Sequence, residues 1–142
     1  MLGLDIAERT VVVADFEAGI GTLTRLGDTK VDAVVVVTDP TVKSLEVASR
    51  AATLAEAHTS GPIIIVANRL LDDDDRYAVD RALVGRTVLQ VPEDDAIQAA
   101  DRADTAPLDA SPDSPAILAL SGLASVLLEP VTAVPRGGRR AG

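Results

Sequence analysis

Three short runs of β-branched residues constrain this chain most: "TVVVA" at residues 10–14, "AVVVVT" at 33–38 and "PIIIVA" at 62–67. None alternates polar with apolar, so both faces of each strand need covering, as in a parallel sheet between helical layers. A weaker run, "TVLQV" at 87–91, adds a fourth strand candidate. Phe16 and Tyr77 are the only aromatics, so Val, Ile, Leu and Ala must build the core.

Helical patterns separate these runs. In "DPTVKSLEVASRAATLAEAH", Val42, Leu45, Ala48, Ala52 and Ala55 recur at helical spacing; Thr41 suits the N-cap, and Gly61 follows at a C-cap distance. "DDDDRYAVDRALVG" predicts a shorter helix with Tyr77, Val79 or Asp80, and Leu83 or Val84 inward. Its four leading aspartates, residues 72–75, complement a helix N-terminus better than they cluster around a metal. "SPAILALSGLASVLLEP" has Ser114 as cap, Pro115 at the first helical position and a stop before Pro130. Residues 104–115 read as a surface loop, and His58 as a group near a helix end.

The expected fold is α/β: a parallel sheet of four strands flanked by helices. At 142 residues it forms one domain over 1–129, followed by a flexible basic tail at 130–142 with three arginines. The chain has no cysteine, which excludes disulfides and thiolate metal sites, and its formal charge of −9 argues against nucleic acid as a partner. No stretch is long and apolar enough to span a membrane, and no signal peptide is evident, so a cytoplasmic location is expected.

Ligands of such folds gather beyond the carboxyl ends of the strands. Asp15 to Gly19, Asp39-Pro40, Asn68-Arg69 and Pro92-Glu93-Asp94 all fall there. In this order "DFEAGIG", "VDAVVVVTDPTVKSLEVASR", "IIIVANR" and "VPEDDAIQAADRADTAPLD" resemble segments of the MinD/ParA-type P-loop ATPases, especially the CooC-like branch. The similarity runs from about Thr10 to Leu128. It implies a partial P-loop NTPase fold of the SIMIBI type, with ATP and Mg²⁺ as cofactors. By this resemblance Asp15 is the Walker B carboxylate that holds magnesium, usually through water, and Gly19 is the glycine of switch II. Asn68, followed by Arg69, would pair with the adenine edge, and Pro92, Glu93 and Asp94 would form the loop around the base. Hard magnesium suits a carboxylate, and an amide offers both donor and acceptor to adenine. Glu17 has two readings, a neighbour of a partner's nucleotide or an exposed loop carboxylate.

One departure changes the functional expectation. Only fourteen residues precede Asp15, no G-x-x-x-x-G-K-[ST] occurs, and Lys30 and Lys43 lie outside glycine-rich contexts. Losing three or more charge-assisted bonds to phosphate removes roughly 4–9 kcal/mol, so Mg·ATP binding should be weak or absent and the chain alone should not hydrolyse ATP. A partner chain carrying the first half, a full-length relative, or self-association through the edge of the 10–14 strand would follow. The nickel-insertion cysteine pair is missing, prolines interrupt any membrane helix near the end, and the basic surface of DNA-partitioning relatives is absent. The alternative is a non-enzymatic interaction module that docks on a full-length ATPase. A receiver domain of a signalling pathway fits less well, because it lacks the strand-end lysine near "VPEDD".

Overall fold

The computed structural model describes residues 10–16 and 29–128. Its centre is a parallel sheet of three strands in the order β1 (Val34–Thr38), β2 (Ile63–Leu70), β3 (Thr87–Pro92). Helices α1 (Val42–Ala55) and α2 (Asp73–Ala82) connect the strands in turn. After β3 come α3 (Asp95–Arg102), a single turn α4 (Pro107–Ala110) and α5 (Pro115–Leu128). The expected α/β class, parallel pairing and flanking helices are all present. The short α4 falls within what the sequence suggested was a loop.

The central strand β2 fits the two-sided reading of its sequence. Side chains alternate across a strand, so Ile65 and Ala67 face one helical layer while Ile64 and Val66 face the other. On the first face they join Leu45, Ala48 and Ala52 of α1 with Val79 of α2 and the adjacent Leu83. On the second, Ile64 and Val66 meet Val91 of β3 and Ala116 of α5, with Leu123 and Leu127 packed against them. Ile65 is fully buried and central to the first layer, a burial that contributes about 1.5–3 kcal/mol.

Helix α1 forms as its pattern predicts. Thr41 Oγ1 accepts from the Ser44 N–H, and Leu45, Ala48, Ala52 and Ala55 are buried; Val42, expected inside, is 74% exposed at the first turn. In α2 a reciprocal pair closes the N-terminus: Asp72 accepts from the Asp75 N–H, while Asp75 accepts from the Leu71 N–H at 2.8 Å. Two of its aspartates thus serve the backbone. Val79 and Leu83 are buried, and Tyr77 is exposed.

Three further expectations need correction. Residues 10–14 form no strand; they have no regular structure and are exposed, so among the described residues the sheet has three strands instead of four. The run is apolar enough for a buried strand but has no strand beside it to satisfy its backbone. Strand β1 is not covered on both faces either. Val36 packs on the α1 layer, whereas Val35 and Val37 are exposed because no described element lies over them. Gly61 does not cap α1, which ends at Ala55 with Glu56 as its cap. Gly61 instead lies against the backbone of Asp32, where a Cβ would sit 1.8 Å from the carbonyl oxygen.

Candidate functional site

The sheet delivers three strand ends to one edge. Asp39 follows β1, Asn68 and Arg69 lie near the end of β2, and Pro92, Glu93 and Asp94 close β3. The end of β2 is irregular. Ala67 pairs with Gln90, yet Leu70 pairs with Pro92, so two residues of β2 stand where β3 has only Val91. These two are Asn68 and Arg69, the residues that the sequence singles out. The extra residue is a β-bulge, which bends a strand and re-aims its side chains. Arg69 takes up the irregularity with φ of 63°, a left-handed conformation that is unfavourable for a residue with a Cβ.

Ion pairing and backbone bonds hold this geometry. Arg69 Nε donates to Glu93 Oε2 at 3.0 Å, and the Glu93 N–H donates to the Leu70 carbonyl at 2.9 Å. The other Glu93 oxygen accepts from Gln98 Nε2 at 3.0 Å. The hydrogen bond from Arg69 to Glu93, the charge of Glu93 and then that of Asp39 raise the guanidinium pKa above its ordinary value. This places Asp39 in the same electrostatic neighbourhood.

Asp94 has a role that the sequence did not suggest. Its Oδ1 accepts from the Ala96 N–H and its Oδ2 from the Ala116 N–H, each at 3.0 Å, so one carboxylate caps both α3 and α5. The bonds from Ala116 and then Ala96 hold its carboxyl below the usual carboxylate range. The cap expected of Ser114 is thereby supplied from across the fold, and the buried Ser114 hydroxyl lies beside the same Asp94 carboxylate without a hydrogen bond of good geometry. No local spacing signals this contact, because Asp94 and Ala116 are far apart in sequence.

Asn68 differs from these neighbours. It is half-buried, and its side-chain amide makes no hydrogen bond to any other described residue. Among the described residues its donor and acceptor are thus without partners, whereas Arg69, Glu93 and Asp94 are already engaged. Asp15 is exposed in the unpaired 10–16 segment, so it does not sit at the end of a sheet strand as expected. Gly19 and Glu17 lie outside the described residues, as does the 130–142 tail.

The described edge carries the carboxylates of Asp39, Glu93 and Asp94 against the single guanidinium of Arg69. A groove of about 670 Å³ lies elsewhere, between the outer faces of α1 and α2, and none of the carboxyl-edge residues lines it. Among the described residues no helix is long and apolar enough to cross a membrane. No protein-family model matches this chain, and a search of curated proteins returns no match.

Proposed function

We propose that this chain is the carboxyl-terminal portion of a MinD/ParA-like nucleotide-binding domain, whose adenine end is formed by Asn68, Arg69, Pro92, Glu93 and Asp94. The observation that carries the reading is the Asn68 amide, which has no hydrogen-bond partner among the described residues, on a β-bulge at the carboxyl edge beside a strained Arg69 that Glu93 holds in place. Bulges and left-handed non-glycine residues concentrate at ligand sites, where positioning outweighs local stability. Glu93 and Asp94 then act as positioning groups: one fixes Arg69, the other anchors the two helices behind the loop.

The acidic edge also sets what the chain does with ATP. Without a phosphate loop, the triphosphate meets carboxylates rather than amides and a lysine. Binding by this chain alone is therefore millimolar at best, with no turnover, and Asp15 with Gly19 would act on Mg·ATP only when another chain or segment supplies that loop. The exposed valines of β1 favour a second reading, a non-enzymatic module that docks on a partner.

Amide chemical shifts of ¹⁵N-labelled chain, titrated into the millimolar range with adenosine and separately with Mg·ATP, test the first reading. Adenosine should shift Asn68, Arg69 and Glu93 at least as strongly as Mg·ATP, and Asn68→Ala should abolish the response. Shifts confined to other residues, or none with either ligand, would overturn it.

A further inference from the structure

We propose that the open edge of β1 is completed by residues 10–14 of a second copy of this chain, in a reciprocal exchange of strands. β1 ends the described sheet, and its hydrogen-bonding edge away from β2 has no described strand beside it. Such an edge is a template for another extended segment. Pairing β1 with β2 in register puts Val35 and Val37 on the face of Ile64 and Val66, yet Val37 is 66% exposed where Val66 is buried. An added strand would therefore find both free backbone groups and bare apolar side chains.

The same chain carries a matching donor. Residues 10–14 are another uncharged β-branched run, equal in length to the five-residue β1. Within one copy this run lies off the sheet, with Val11, Val12 and Val13 at 64%, 56% and 87% exposed. Among the described residues each copy thus presents one unpaired strand donor and one unpaired strand acceptor, and two such copies close by a two-fold exchange that leaves neither over. Charge does not oppose it at the contact, since neither run bears a charge although the chain totals −9. With Val12 opposite Val36, Val11 and Val13 fall on the bare face with Val35 and Val37, whichever direction the incoming strand takes.

The absence of cysteine makes the exchange directly testable. Paired residues of adjacent strands have Cα atoms about 4.5–5.5 Å apart, within the span that a disulfide bridges. A Val12→Cys/Val36→Cys chain, oxidised mildly at micromolar concentration, should run as a covalent dimer without reductant. A disulfide closed within the monomer would place the chain's own segment on its edge and overturn the proposal, as would the absence of any cross-link. In light scattering, the unmodified chain should have twice the mass of Val12→Pro, whose helical circular dichroism should be retained because Val12 lies outside the core of the single copy. An unmodified chain with the mass of one copy would also overturn it. Exchange requires no nucleotide, so such a result leaves the adenine-edge reading untouched.

Discussion

Replacing Gly61 by alanine adds one methyl group where the fold has no space for it. The new Cβ would lie 1.8 Å from the Asp32 carbonyl oxygen and 3.0 Å from its carbon, whereas ordinary contact begins at 3.4 Å. The obstacle is backbone, so no side-chain rotation relieves it. Moving the Asp32 segment is resisted on both sides, by the Val31 N–H bonded to the His58 carbonyl at 2.9 Å and the Val34 N–H bonded to the Pro62 carbonyl at 3.0 Å. Overpacking costs about 1–3 kcal/mol, and disturbing one of these bonds adds about 0.5–1.5 kcal/mol, so Gly61→Ala should destabilise by roughly 2–4 kcal/mol. That is a large share of the ~5–15 kcal/mol typical of a domain. Gly122 is the control, because it lies within α5 and an added Cβ meets nothing within 4 Å. There alanine should stabilise by about 0.5–1 kcal/mol through the unfolded chain and helix propensity. Urea unfolding followed by far-ultraviolet circular dichroism measures both. A Gly61→Ala chain within about 0.5 kcal/mol of the parent, the range of ordinary surface changes, would refute the close approach of Gly61 to Asp32.

Ile65→Ala should cost about 2–5 kcal/mol in the same urea assay, because Ile65 is fully buried between α1 and α2, whereas Val42→Ala at an exposed helix start should stay within about 0.5 kcal/mol. Asp94→Asn should lower the melting temperature at neutral pH by weakening both helix caps. Because the folded-state pKa of Asp94 is depressed, its contribution is fully present above the unfolded value of about 3.9 and is lost as pH falls through the folded value; the gap between parent and variant should therefore close in acid. Arg69→Gly should melt above Arg69→Ala, since both lose the Glu93 contact but only glycine is at ease with φ of 63°; equal melting temperatures would argue against the left-handed backbone.

The sequence by itself determined the elements that depend on local chemistry. Unbroken runs such as "PIIIVA" require burial on both faces, and β2 obtains it from α1 and α2 on one side and α5 on the other. Thr41 announced a helix start because a cap is a contact between residues three apart, and the aspartates at 72–75 announced another through their charge, although the sequence did not show that Asp72 is the cap. The grouping of Asn68, Arg69, Glu93 and Asp94 at one edge was legible too, since parallel strands joined by helices bring their carboxyl ends together. Tertiary structure decided the rest. Residues 10–14 resemble β2 in composition, but a strand needs a neighbour, and composition does not say whether one exists. The same limit hid the exposed face of β1. The bulge that sets Asn68 apart appears only in the pairing of β2 with β3, where three steps along one strand match two along the other. Asp94 looked like a ligand residue for the same reason: its partner Ala116 lies on another helix, and only folding brings that N–H within reach of the carboxylate.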